Sequence, residues 1–286
     1  EMSPCACEGQ KRRAAKGQFT MKQLLNLRNG VPNKEMKKKE KVLLFGSDIS
    51  SSLSPSIHNF VYSCLSIPFS YFVCEKTSFS DVKKKMQEKN YFAANVTMPF
   101  KEKMFGYLEN NSKDASAIKA VNSVHRDAET GKLIGNNTDW KGLLTNLEKM
   151  ALETGERFEH NAKAVVIGAG GTSRAAIFAL KKFGIEAKSI FVFNRTLEKS
   201  LLVSKEFECS FVTSLEDIYF KNQVVILVVT VPNNARLQIP SALKENENLI
   251  IIDFNYSNDL TFVEKQILKP LYSIRGINIL VEQVAF

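Results

Sequence analysis

The sequence predicts an α/β protein of two units: an N-terminal α/β unit and a following Rossmann-like unit with a parallel sheet. Three observations carry that prediction. From Lys163 onward, short apolar runs rich in β-branched residues alternate with helical patterns. Strands are expected near 163–167, 189–193, 224–229 and 249–253, and helices near 172–183, 196–207, 214–219 and 259–267. The first of those strands runs into a glycine turn, Gly168-Ala169-Gly170-Gly171, that opens a small-residue helix. The chain has 286 residues, enough for two modest cores.

The first unit is read in order. Residues 1–40 form a lead-in or linker, with a short helix after Thr20 and a basic cluster at Lys34, Lys37, Lys38, Lys39 and Lys41. Val42 to Gly46 reads as a strand, then a serine-rich loop leads to Pro55, placed for the first turn of a helix bearing Ile57, His58, Val61 and Tyr62. A second strand is expected over Ser70–Val73. Val82 and Met86, four apart among charged residues, predict a helix over 80–87. Phe92 to Lys101 reads as a strand ending before Pro99, and Met104–Leu108 and Asp114–Ile118 as helical. The turn Asp127 to Gly131 between two short apolar runs predicts a hairpin, and a long helix is expected from Trp140 to about Leu152. Glycine and charge over 155–161 mark a border between units. The tail from Ile277 begins a further helix.

Composition narrows the classes of function. The net charge is +9, concentrated partly in the lysine cluster, where the absence of interleaved aromatics favours a solvated linker over a nucleic-acid patch. The remaining positive charge suits a phosphorylated cofactor or an acidic substrate. The longest apolar run, Val224–Val229, falls far short of the ~20 residues that span a bilayer. The five cysteines lack paired spacing and there are three histidines, so reduced thiols, a cytoplasmic setting and no metal site are expected.

The glycine turn has a physical reading. Gly168 and Gly170 let the backbone turn sharply and approach a pyrophosphate, and the next helix aims its free N–H groups and positive dipole end at the anion. The third glycine arrives early, with Ser173 at the sixth position, so this fingerprint alone leaves a buried strand and turn as an alternative. At the end of the next strand, NAD-selective turns carry Asp or Glu for the ribose 2′-hydroxyl. Here Asn194-Arg195-Thr196 stands instead, with Arg195 able to pair with a 2′-phosphate, which predicts NADP. Arg174 either adds to phosphate binding or is exposed.

Six motifs in order resemble the shikimate dehydrogenase family: Ser52-Leu-Ser54-Pro-Ser-Ile-His58-Asn59, Asn95-Val-Thr97-Met-Pro99-Phe-Lys101, Ala120-Val-Asn122-Ser, Gly135-Asn-Asn137-Thr138-Asp139-Trp-Lys-Gly142, the glycine turn, and Asn194-Arg195-Thr196. The resemblance covers about residues 41–286. It implies a substrate-binding catalytic unit over 41–150, completed by a C-terminal helix over 277–286, and an NADP-binding Rossmann-like unit over 151–276. It implies NADPH-dependent, reversible reduction of 3-dehydroshikimate to shikimate on the route to chorismate and aromatic amino acids. Lys101 and Asp139 become the catalytic pair, although by residue type alone they also read as a surface lysine and a helix cap. The substrate contacts implied are Ser52, Ser54, Asn95, Thr97, Asn122, Tyr256 and Gln283. The cofactor contacts implied are Gly168, Ala169, Gly170, Gly171, Thr172, Asn194, Arg195, Thr196 and Thr230. His58 reads as a core or helix residue rather than a ligand.

Residues 14–20 resemble the end of a type I dehydroquinate dehydratase, which implies one domain of a fused, multifunctional aromatic-pathway polypeptide, with its other domains as partners. Two other readings compete: a quinate dehydrogenase using NAD, and a non-catalytic sensor like the fungal quinate-pathway repressors, the one case in which a nucleic-acid partner is expected. Retention of Lys101 and Asp139 favours an enzyme.

Overall fold

The computed structural model describes residues 40–284, apart from 77, 89, 156, 157, 159–161, 221, 222, 236, 257–259 and 268. The lead-in, with its lysine cluster up to Lys39 and its dehydratase-like stretch, lies outside the described residues, as do Ala285 and Phe286.

Two six-stranded sheets organise the chain. The first contains β1 (Glu40–Gly46), β2 (Phe69–Glu75), β3 (Ala93–Val96), β4 (Asn110–Asn111), β5 (Ser123–Arg126) and β6 (Leu133–Asn136), in the order β2-β1-β3-β5-β6-β4. β1 pairs in parallel with β2 and β3, whereas the hairpin strand β5 runs antiparallel to β3 and β6. Its helices are α1 (Ser54–Cys64), α2 (Phe79–Gln87), α3 (Lys101–Tyr107) and α4 (Lys113–Ile118). Pro55 sits in the first turn of α1, where a missing N–H costs nothing. Ser78 and Ser112 cap α2 and α4 by accepting from Asp81 and Ala115 N–H groups. Val82 and Met86 bury the inner face of α2.

The second sheet contains β7 (Lys163–Ile167), β8 (Ile190–Phe193), β9 (Ser210–Phe211), β10 (Val225–Val229), β11 (Leu249–Asp253) and β12 (Tyr272–Arg275), ordered β12-β11-β10-β7-β8-β9 with every pairing parallel. That is the Rossmann order, with its switch point between β7 and β10. β10 and β11 are buried end to end, which explains why they read as unbroken apolar runs. Its helices include α6 (Gly171–Phe183), α7 (Leu197–Phe207) and α8 (Ser241–Lys244).

Two further helices tie the sheets together: α5 (Asp139–Thr154) and α9 (Gly276–Val284). Leu143, Leu147 and Met150 of α5 share a core with Val166 of β7, Ile177 and Leu180 of α6, and Ile279 of α9. A Cβ on Gly142 would lie 2.7 Å from the Ile279 carbonyl oxygen, so the absence of a side chain there lets α9 lie close on α5. α5 ends at Gly155, in the left-handed conformation at φ +67°.

Three expectations are corrected, and three strands went unread. The segment 214–219 is a single 3-10 turn over Leu215–Asp217, because Ser214 and Asp217 cap each other at once. In place of a helix over 259–267, residues 262–266 form turns, since the Thr261 hydroxyl and the Glu264 carboxylate are drawn to the end of β11 and to the Thr261 N–H. Strands β4, β9 and β12 carried too few residues or too mixed a pattern to be read. Asp139 is the first residue of α5 rather than its cap, a position held by Thr138.

Candidate active site

The seam between the sheets is built around one ion pair. The turn after β3 leads through Pro99 to α3, whose first residue is Lys101. The hairpin β5–β6 and Asn137-Thr138 deliver Asp139 at the start of α5. Lys101 Nζ donates to Asp139 Oδ2 at 2.6 Å, with side chains only 11% and 5% exposed. A buried pair survives only when its remaining hydrogen-bonding capacity is met. Asp139 Oδ1 accepts from Asn122 Nδ2 at 2.8 Å and from Gln283 Nε2 of α9 at 2.9 Å, and its backbone N–H donates to Asn137 Oδ1. Lys101 Nζ also donates to Thr172 Oγ1 at 3.0 Å, across the seam in the first turn of α6.

Polar groups continue from this pair into the first sheet. Asn122 fixes the turn before α5 through Thr138, donating to Oγ1 and accepting from N–H. Asn95 Nδ2 donates to the Asn122 carbonyl, and Asn95 Oδ1 accepts from the Tyr71 hydroxyl at 3.0 Å. That hydroxyl also meets the Ser54 side chain, and burial raises its pKa well above the ordinary phenol range. Ser52 Oγ accepts from the Ser54 N–H and lies 3.4 Å from the Tyr256 hydroxyl, so the serine loop and the end of β11 face each other. Thr97 lies in the turn after β3 with its methyl against Gly46. Its hydroxyl has no hydrogen-bond partner among the described residues, and Thr97 is the one expected substrate contact outside this network. His58 stacks on the Tyr71 ring at 4.4 Å and 8°, and loss of hydration lowers its pKa to about 4. It is a packing residue, as its place on α1 implied.

The other wall is the glycine turn at the Rossmann switch point. Gly168 has φ +116°, a conformation L side chains rarely adopt, and a Cβ there would lie 2.3 Å from Thr230 Oγ1. Thr230, just past β10, donates to the Ile167 carbonyl and contacts Ser173 Oγ at 2.7 Å, while Ser173 accepts from the Gly170 N–H. At Gly171 the two sides approach closely: a Cβ would meet Lys101 Cβ at 2.8 Å and Ala120 Cβ at 3.1 Å. On its open side Gly170 has nothing nearer than Glu102 Oε1, 3.7 Å from a built Cβ. At the end of β8, Asn194 Nδ2 closes a turn on the Thr196 carbonyl and Arg195 is exposed. A glycine-lined turn, a helix N-terminus and a cation in place of an acid after β8 fit a phosphorylated dinucleotide.

Arg174 departs from the exposed reading offered for it. It is buried on α6 and pairs with Glu206 of α7 and Glu102 of α3. Tyr71, Glu102 and Glu206 were missed in the sequence. Tyr71 alone left a signal, a hydroxyl-bearing ring among the aromatic and aliphatic residues of β2. A cavity of about 760 Å³ lies elsewhere, among Lys188, Leu201, Lys205 and Phe211, and holds none of these groups. Among the described residues no group of three or more His, Cys, Asp or Glu is arranged to hold a metal, and no helix is long and apolar enough to cross a membrane.

Fold and site together define a class: a two-sheet α/β protein whose Rossmann-type sheet turns its glycine loop toward a network of polar side chains on the other sheet. Family models make the class particular. The shikimate dehydrogenase substrate-binding domain matches residues 44–124, and shikimate/quinate 5-dehydrogenase matches residues 149–260. The chain belongs to the shikimate dehydrogenase family.

Among relatives, the pentafunctional AROM polypeptide of Schizosaccharomyces japonicus is 33% identical over 298 residues, covering 95% of this chain and 18% of its own length. The chain therefore spans under a fifth of that relative. The crystal structure of shikimate dehydrogenase from Aquifex aeolicus aligns with TM-score 0.73 and 26% identity, over 86% of this chain and 90% of the other. Shikimate 5-dehydrogenase from Thermus thermophilus, solved with NADP(H) and shikimate, aligns with TM-score 0.66 and 27% identity, over the same 86% and 90%.

Proposed function

We propose that the chain is the shikimate dehydrogenase domain of a fused cytoplasmic polypeptide and interconverts 3-dehydroshikimate and shikimate with NADP(H). The observation that carries this reading is Lys101 Nζ, held between Asp139 of the substrate side and Thr172 of the glycine turn at 2.6 and 3.0 Å. Bound NADPH supplies the hydride. An ammonium with two of its three N–H groups so engaged keeps one for a substrate oxygen. In reduction Lys101 gives a proton to the carbonyl oxygen as it becomes a hydroxyl, and in oxidation the neutral amine takes that proton back. Asp139 holds the amine in place and is itself held by Asn122 and Gln283, so the proton donor is oriented before substrate arrives.

Ser52, Ser54, Tyr256, Asn95, Thr97 and Asn122 supply short, directional donors and acceptors for a polyhydroxylated carboxylate, with the serines at the carboxylate. We assign the first sheet and its helices, with α9, to substrate and the second sheet to cofactor. Gly168 to Thr172, Thr230, and the Asn194-Arg195-Thr196 turn form the cofactor wall. The match of residues 44–124 to the shikimate dehydrogenase substrate-binding domain supports the substrate side, and the Thermus relative solved with NADP(H) and shikimate supports the pair of ligands.

The test is a nicotinamide-absorbance assay of shikimate and quinate against NADP and NAD. Turnover of shikimate with NADP in clear preference to the other pairings is expected. Quinate with NAD as the best pair, or ligand binding without turnover, would overturn it. Arg195→Ala is expected to raise the KM for NADP about tenfold while leaving that for NAD within about twofold, the loss of one charge-assisted phosphate contact. Equal KM changes for the two cofactors would remove Arg195 from the 2′-phosphate.

A further inference from the structure

Beside the proton-handling pair runs a chain of ion pairs that the reaction does not use. Lys119, at the end of α4, donates to Glu206 Oε1 of α7 at 2.8 Å. Glu206 also pairs with Arg174 of α6, whose Nε lies 3.4 Å from Oε2 of Glu102, the residue after Lys101. Lys119 and Glu102 stand on helices of the first sheet, Arg174 and Glu206 on helices of the second, so the chain crosses the seam twice. Burial pushes the Glu206 carboxyl up, but hydrogen bonds from Lys119 and Arg174 outweigh it and leave it below its ordinary range. Arg174 is the buried member, its side chain 5% exposed, while that of Glu102 is 48% exposed.

Three features of this chain point to an anion outside it. Arg174 is the fourth residue of α6, so its buried cation stands at the positive end of the helix, where an anion is favoured. Its Nε makes no hydrogen bond among the described residues, because Glu102 sits at ion-pair range without the geometry of a bond. Glu102 Oε1 is the nearest atom to the open side of Gly170. One carboxylate thus borders both an unsatisfied buried donor and the glycine turn read above as the dinucleotide site.

We propose that Glu102 is a positioning residue that competes with a phosphate of the dinucleotide for Arg174. The inference rests on the reading of the turn as the dinucleotide site and deepens it. A phosphate oxygen at the turn satisfies Arg174 and repels the Glu102 carboxylate. Glu102 adjoins Lys101 in the first turn of α3, so the exchange at the phosphate reaches the helix end that carries the amine. The ion-pair chain sets cofactor affinity below what the turn alone would give, and loading the cofactor loosens one of the two ties across the seam.

Trp140, the only tryptophan in the chain, packs edge-on against Phe178 of α6 at 5.1 Å and is the fluorescence probe for an NADPH titration without turnover, with calorimetry as the second measurement of Kd. Glu102→Gln keeps the shape and removes the charge. Its Kd for NADPH is expected to fall about three- to tenfold, the size of a half-exposed like-charge contact, and the gain to shrink at high salt. Glu102→Ala is expected to shift Kd in the same direction, and Glu102→Asp to return it toward wild type, while the KM for shikimate moves less than Kd in all three. A Kd for NADPH that is unchanged or weaker in Gln and Ala variants overturns the inference and leaves Glu102 as a structural tie. If the wild type binds no NADPH, the reading of the turn fails and takes the inference with it. Wild-type binding with an unimproved Glu102→Gln sinks the inference alone.

Discussion

At the scale of single residues, the site is a set of side chains whose freedom has been removed before any ligand enters. Asp139 accepts from Lys101, Asn122 and Gln283, so its carboxylate cannot turn toward solvent without breaking three bonds. Tyr71 does the same for Asn95, and His58 backs Tyr71 by stacking on it. His58 is therefore neutral in the folded protein, with its pKa lowered from 6.5 to about 4 by desolvation. The unfolded chain takes up a proton below 6.5 that the folded chain refuses until about 4, so stability is complete above 6.5 and falls as pH drops toward 4. Between neutral pH and about pH 5 the loss from this residue is about 2 kcal/mol. Denaturant unfolding at the two pH values should show that loss in the wild type and little of it in His58→Phe. An equal loss in both would place the acid sensitivity elsewhere.

At the scale of elements, each group around the ion pair sits where one element hands over to the next. Lys101 begins α3, Asp139 begins α5, Thr172 lies in the first turn of α6, and Gln283 lies in the last turn of α9. α9 is the least obvious contributor, since it comes last in the chain and reaches Asp139 only because Gly142 lets it approach α5. Gly142→Ala puts a methyl 2.7 Å from the Ile279 carbonyl and 3.0 Å from Gln283 Cγ, so α9 must shift. We expect a stability loss of about 1–3 kcal/mol and a severalfold rise in the KM for shikimate. Thermal unfolding and steady-state kinetics measure both, and a variant normal in each would detach α9 from the site.

At the scale of the whole molecule, the two sheets meet at Gly171 and Lys101, and that meeting is what the sequence conveyed least. The parallel strands were legible because burial on both faces writes Val225–Val229 and Leu249–Asp253 as unbroken apolar runs. The hairpin β5–β6 was legible from its turn. The two-residue strands β4 and β9 were not, because so short a run has no periodicity to read. Lys101 and Asp139 were legible as a pair only through the motifs around them, since 38 positions separate them and each has an ordinary role by itself. The ion pairing of Arg174 with Glu102 and Glu206 left no signal, because the partners lie on elements far apart in the chain and such pairs follow from tertiary packing.

The central claim is that Lys101, fixed by Asp139 at this seam, moves the proton. The most direct measurement is kcat for shikimate oxidation by NADP in Lys101→Ala, with NADPH Kd followed through Trp140 in the same preparation. A fall of ~10²–10⁴-fold in kcat with Kd held within a few-fold is predicted, the range for loss of a general acid–base group. A kcat near that of the wild type, with binding intact, would contradict it.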